Sequence, residues 1–140
     1  MKNKKCFTLV EIVVVIALLG LLMLLVVPNV VDKFANAKKN IFYNDVINLY
    51  SQATSTYLNR SADDFNTSKE FSHDDNPLDI EGSDDFEYFL VVNQYGQVVF
   101  LTATSNDYHF TIEGDNIKKS DIKKNNIRNG YLEPTDTRQQ

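Results

Sequence analysis

One carboxylate in this chain stands where a carboxylate is costly. Glu11 follows Cys6-Phe7-Thr8-Leu9-Val10 and directly precedes twenty uncharged residues, Ile12 to Val31, that read IVVVIALLGLLMLLVVPNVV. As an α-helix that run is about 30 Å long, the thickness of a bilayer's hydrocarbon core. An ionisable group at the centre of such a medium costs about 2.5–3.5 kcal/mol, so Glu11 reads as a group retained for a task. Lys2, Lys4 and Lys5 lie ahead of it and predict an N-terminus held on the cytoplasmic side.

The other groups that could do chemistry are charged clusters. From Asp63 to Glu87 there are ten acidic side chains and one lysine. Within that stretch Asp74, Asp75, Asp79, Glu81, Asp84 and Asp85 offer oxygen ligands of the kind calcium takes. Their order does not match an EF-hand, and the simpler reading is a solvated, self-repelling loop. Lys118, Lys119, Lys123, Lys124 and Arg128 form a small basic patch around Asp121. A solvated surface is the plain account of it. The sharper ones are a contact with a neighbouring copy's acidic loop, or DNA capture. No aromatic residue is interleaved with those charges, and the whole chain carries 14 basic against 19 acidic side chains, a net −5. Both facts argue against nucleic-acid binding. His73 and His109 lie far apart in sequence with no second ligand at metal spacing, and no nucleophile motif or phosphate loop is present. The chain is not expected to be an enzyme, and it is expected to need no cofactor, calcium at the acidic run being the one candidate.

These groups must be positioned by an α+β fold. Beyond Asp32 the helical pattern becomes one-sided. Phe42, Val46, Leu49, Ala53 and Tyr57 recur at steps of four, three, four and four, with Ile47 and Tyr50 alongside and Asn44, Asn48, Ser51, Gln52 and Ser55 opposite. One long helix from Phe7 to about Leu58 is the simplest account, transmembrane over 7–31 and amphipathic over 32–58. Pro28 removes one of its hydrogen bonds and predicts a kink. Residues 59–85 have loop composition. Three strands are expected next: 86–93 and 97–104 around the hairpin loop Gln94-Tyr95-Gly96, then 108–113 with Tyr108, Phe110 and Ile112 on one face. A three-stranded antiparallel sheet, within a head spanning 86–133, would cover the apolar stripe of the helix. A polar tail, 134–140, reads as disordered.

Basic leader, then Phe7-Thr8-Leu9-Val10-Glu11, then an apolar helix interrupted by Pro28: this start resembles the type IV pilins and the pseudopilins of type II secretion, and Gram-positive competence pseudopilins share it. The resemblance covers residues 4 to 31. It implies that a membrane-embedded prepilin peptidase removes a leader of residues 1–6 by cutting between Cys6 and Phe7 and methylates the Phe7 amine. It implies further that Glu11, pairing with that amine, guides assembly. One position departs from the pattern, since Cys6 stands where the family usually has Gly. Cutting there removes three lysines and leaves 11 basic against 19 acidic side chains, a net −8. Cys6 is the only cysteine, so the mature protein could form no disulfide, unlike many Gram-negative pilins.

The implied partners are other copies and other pilins in a helical filament, the peptidase, a membrane platform protein and the bilayer; the implied sites are the cytoplasmic membrane and then a cell-surface filament. The filament would serve secretion, DNA uptake or adhesion. A rival from another class is a single-pass, membrane-anchored binding module that never polymerises. A second rival is a secreted domain released at Ala35-Asn36-Ala37, against which the length of the apolar run and the intervening Asp32 and Lys33 argue.

Overall fold

The structure, a computed structural model, describes residues 6–60, 67–81 and 84–139. Most of the expected leader, and parts of the expected acidic loop at 61–66 and 82–83, lie outside the described residues. The chain divides into two compact units, 1–37 and 38–140.

Helix α1 runs over Leu9–Arg60 and carries Pro28 inside it. In the first unit every helical residue is exposed, and the stretch is long and apolar enough to cross a membrane. Its N-terminus is closed by a reciprocal pair. The Thr8 hydroxyl accepts from the Glu11 amide at 3.3 Å, and the Glu11 carboxylate accepts from the Thr8 amide at 3.4 Å. This is the arrangement of a capping box, which satisfies two of the amides a helix start leaves over. Near Pro28, which cannot donate, the Asn29 side-chain amide donates to the Leu25 carbonyl at 3.2 Å.

In the second unit the expected stripe is the buried one. Phe42, Val46, Leu49, Ala53 and Tyr57 are buried, with Ile47 and Tyr50 packed partly against the same core. Burial begins at Phe42, the first residue of the expected stripe, and every residue from Asp32 to Ile41 except Lys39 is exposed. Asp45 is buried too, which the apolar periodicity does not show.

Among the described residues the sheet has five strands, not three: β1 (Lys69–Ser72), β2 (Glu87–Val92), β3 (Val98–Thr104), β4 (Tyr108–Ile117) and β5 (Arg128–Asn129). They pair antiparallel in sequence order, β1-β2-β3-β4-β5. β1 forms inside the stretch expected as loop, with Lys69 opposite Val92 and Ser72 opposite Phe89. Both added strands are short and at the edges, where a brief, charged strand discourages pairing with a second sheet. The helix stripe packs on Leu90 and Val92 of β2, Val98, Leu101 and Ala103 of β3, and Phe110 and Ile117 of β4. Each of these Val, Leu, Ile and Phe side chains contributes about 1.5–3 kcal/mol on full burial.

Register shifts between Val91 and Val92 and between Val98 and Phe100 bring Val98 onto the core face with Leu101 and Ala103, while Phe100 lies on the other face. There Phe100 meets Phe89 edge to face, ring centroids 6.2 Å apart. The C-terminal segment covers that face. Tyr131 donates to Glu87 at 2.9 Å, the Leu132 amide donates to Thr104 at 3.2 Å, and the Arg138 guanidinium lies 5.3 Å from the Phe100 ring centre. The tail expected to be disordered is therefore a strap with partners. A bidentate pair, Arg138 to Asp136 at 2.7 and 2.8 Å, fixes the guanidinium over the ring.

Candidate functional site

The N-terminal motif is presented in the open. Cys6, Phe7 and Thr8 precede the helix in an irregular stretch, all exposed, and Phe7 is 80% exposed. The Cys6–Phe7 bond thus lies ahead of the helix. Glu11 sits in the first turn, where a carboxylate also complements the positive end of the helix dipole. Its capping role went unnoticed in the residue pattern, although Thr-x-x-Glu ahead of an apolar run is the recognised signal for it.

The six acidic candidates do not converge. Asp75 closes a turn, its carbonyl accepting from the Ser72 amide at 3.0 Å and from the Ser72 hydroxyl at 2.8 Å. Asn76 follows with φ +58° and is held by Arg60, which donates to its side-chain oxygen at 2.7 Å. Leu78 tucks inward and its amide donates to the Tyr88 hydroxyl at 2.7 Å, in a site where burial raises the Tyr88 phenol above its ordinary pKa. Asp79 and Glu81 stand beside Asn48, Ser51 and Gln52 of the helix, lining a shallow cleft of about 340 Å³. Asp85 turns elsewhere and accepts from the Asn106 amide at 3.2 Å. Among the described residues no three His, Cys, Asp or Glu side chains are placed to hold one metal ion.

A cleft of about 530 Å³ opens where Ser72, His73 and Asp74 meet Glu87 and the strap residues Tyr131 and Glu133. The hydrogen bond to Glu87 raises the Tyr131 phenol, the carboxylate's charge adding to it. His73 rests edge-on against Tyr88, and His109 Nδ1 donates to the Gly130 carbonyl at 2.8 Å.

The basic patch has an unexpected frame. Ile117, Ile122 and Ile127, five residues apart, are all buried, and the cations between them project outward. Two 3₁₀ turns, Lys119–Asp121 and Lys124–Asn126, set that spacing. The Asp121 carboxylate accepts from the Lys118 amide at 2.8 Å, and Tyr50 of the helix donates to the Ile117 carbonyl at 3.0 Å. Burial first, and then the Asp121 charge, raises the Tyr50 phenol. Lys124 donates to the Asn40 side chain.

Comparison with known proteins singles out one of these regions. The family model of the prokaryotic N-terminal methylation motif matches residues 1–27, the prepilin-type signature of type IV pilins and pseudopilins. No curated protein and no solved structure matches the chain. The motif supports a pilin or pseudopilin, and with the exposed apolar helix it fits a membrane-anchored one.

Proposed function

We propose that this chain is a structural subunit of a type IV pilus-like filament. Prepilin peptidase cuts between Cys6 and Phe7 and methylates the new amine, the helix holds the protein in the cytoplasmic membrane, and an assembly platform draws it into the filament. The observation that carries the reading is the coincidence of the methylation motif on residues 1–27 with an apolar helix exposed on every side. Such a surface needs lipid or other helices around it.

The mechanism is assembly, not catalysis, and it requires no cofactor. After the cut the Phe7 amine, with a reference pKa of about 7.7–8.0, is mostly a cation at neutral pH, and methylation preserves the charge. An incoming subunit pairs that amine with Glu11 of a subunit already in place. Any other axial position leaves both charges unpaired in an apolar surrounding, so the pair selects one register. Loss of the leader also places Thr8 second in the mature chain, so the capping box survives processing.

Mass determination of the N-terminus of the mature protein, together with electron microscopy of sheared cell surfaces, tests the reading. A methylated Phe7 and filaments containing the chain are expected. A mature protein that keeps Cys6 and appears in no filament would establish the anchored, non-polymerising module instead.

A further inference from the structure

We propose that the basic segment between β4 and β5 forms one cationic surface with the lysines that open the 38–140 unit, and that this surface docks the unit on anionic phospholipid headgroups. The leaflet is the one from which helix α1 emerges. The proposal rests on the membrane-anchored reading above and describes the subunit before a filament takes it up.

Charge is sorted along this chain. Of the eleven basic side chains that follow residue 6, only Arg60, Lys69 and Arg138 lie outside 33–39 and 118–128. Those two stretches hold a single acidic side chain, Asp121, in a chain that has 19.

The fold brings the second stretch to the start of the unit. Lys124 donates to the side chain of Asn40, next to Lys38 and Lys39. Ile117, Ile122 and Ile127 are buried in the core and hold the segment there, while Lys118, Lys119, Lys123 and Arg128 stand exposed. The described residues supply none of those four with an ion pair, and the Asp121 carboxylate is engaged by the Lys118 amide at 2.8 Å. Lys38 pairs with Asp107 at 3.1 Å, but the two side chains are 61% and 54% exposed, so water screens the pair. Most of the positive charge is left without an internal answer.

Position in the chain selects the partner. Lys38 follows Val31, the last residue of the uncharged run, by seven residues. Even fully extended, that length of chain reaches at most about 25 Å. A membrane that holds the run therefore keeps the cations beside its surface, and the contact is intramolecular in effect. Lysines so placed are drawn to the phosphates of an anionic leaflet. They suit a fluid array of headgroups better than one fixed anion. The two 3₁₀ turns string them along the segment, and a lysine is a mobile point charge without the fork that grips a single phosphate. Ile41, exposed beside Asn40, adds an apolar contact at the same place. Nucleic acid fits less well, because the residues interleaved with the cations offer no aromatic face to a base.

The full-length chain in lipid nanodiscs tests the docking. Cys6→Ser removes the native thiol, and Asn125→Cys carries a fluorophore on the exposed turn between Lys124 and Asn126. A control chain carries it at Tyr95→Cys, in the hairpin between β2 and β3. With a quencher on the headgroups, discs about one-third phosphatidylglycerol should quench the position-125 label about threefold more than phosphatidylcholine discs at low salt. The excess should vanish at about 0.5 M salt, where the Debye length is about 4 Å. It should vanish also when Lys119→Gln, Lys123→Gln and Arg128→Gln are combined. Those three positions are exposed, so the melting temperature should not move. Equal quenching at position 125 in the two discs, an excess that the triple substitution retains, or a position-95 label that follows lipid composition as strongly overturns the proposal and leaves the anchored reading standing. So does a DNA duplex that binds the chain equally well in both discs, which would assign the patch to nucleic acid. A chain that does not stay in the discs overturns both.

Discussion

From Ile12 to Val27 helix α1 is apolar on every side, and every side chain is exposed. From Phe42 to Tyr57 the same helix is apolar on one side, and that side is buried against a sheet. The contrast shows that hydrophobic content alone does not make a core. A one-sided stripe can be satisfied by a single partner surface within the chain, whereas an all-round apolar helix can be satisfied only by a medium or by several neighbours. The two stretches should therefore fail differently. Damage to the second unfolds the protein, and damage to the first spares the fold and spoils insertion or assembly.

Glu11 offers the sharpest way to break that distinction. On the proposed charge-register mechanism Glu11→Val removes one partner of a buried pair, a loss of about 3–5 kcal/mol. It should abolish incorporation while the melting temperature of the 38–140 unit stays put. Glu11→Gln retains a side chain that can complete the capping box but carries no charge. If Gln restores filaments, the residue works as a cap and the charge-register mechanism falls; we expect filaments to be nearly as scarce as with Val.

Leu49→Ala probes the other side of the comparison. Leu49 is fully buried beneath the sheet, and its truncation should cost about 2–5 kcal/mol. Leu22→Ala, in the exposed run, should leave unfolding of the head unchanged. Thermal melts of the two variants in detergent that gave equal shifts would show that the two stretches are not energetically separate.

A smaller effect is expected at the hairpin between β2 and β3. Gly96 has φ +77°, and a Cβ there would meet the Tyr57 ring at 3.3 Å, while Tyr57 donates to the neighbouring Gln94 carbonyl at 3.0 Å. Gly96→Ala should cost about 1–2 kcal/mol from the left-handed backbone. An unshifted denaturant midpoint would mean that the turn relaxes freely.

The smallest effect belongs to the strap. The Arg138 hydrogen bond to Asp136, helped by its charge, holds the Asp136 carboxyl below the ordinary carboxylate range. Because the folded value is the lower one, the pair stabilises above the unfolded value of about 3.9, and that contribution disappears as pH falls through the depressed value. Arg138→Ala should accordingly lower stability by less than about 1 kcal/mol at neutral pH. The difference from the unaltered chain should shrink in acid to what the guanidinium's contact with the Phe100 ring contributes. Hydrogen exchange at Leu132 would report it, and a difference that does not change across the carboxylate range would show that the ion pair contributes nothing.

Local pattern determined the parts of this protein whose physics is local. A twenty-residue uncharged run needs no partner to declare itself, the spacing from Phe42 to Tyr57 already describes a helix face, and Gly96 marks a turn through its own backbone freedom. The Thr8–Glu11 cap was equally local and was legible as Thr-x-x-Glu. Tertiary structure decided the rest. β1 and β5 are too short to show a period of two, and they are strands because Val92 and Tyr108 offer them paired backbone. Val98 reaches the core, against the alternation that Leu101 and Ala103 set, because bulges shift the register, and Phe100 is left facing outward. The polar C-terminal segment is ordered only because that outward ring and Glu87 and Thr104 are there to receive it. Likewise, the acidic and basic runs read only as charge in one dimension; strand order alone sets them on opposite edges, since a sheet's outermost connections depend on which strands pair and not on where the charges fall in sequence.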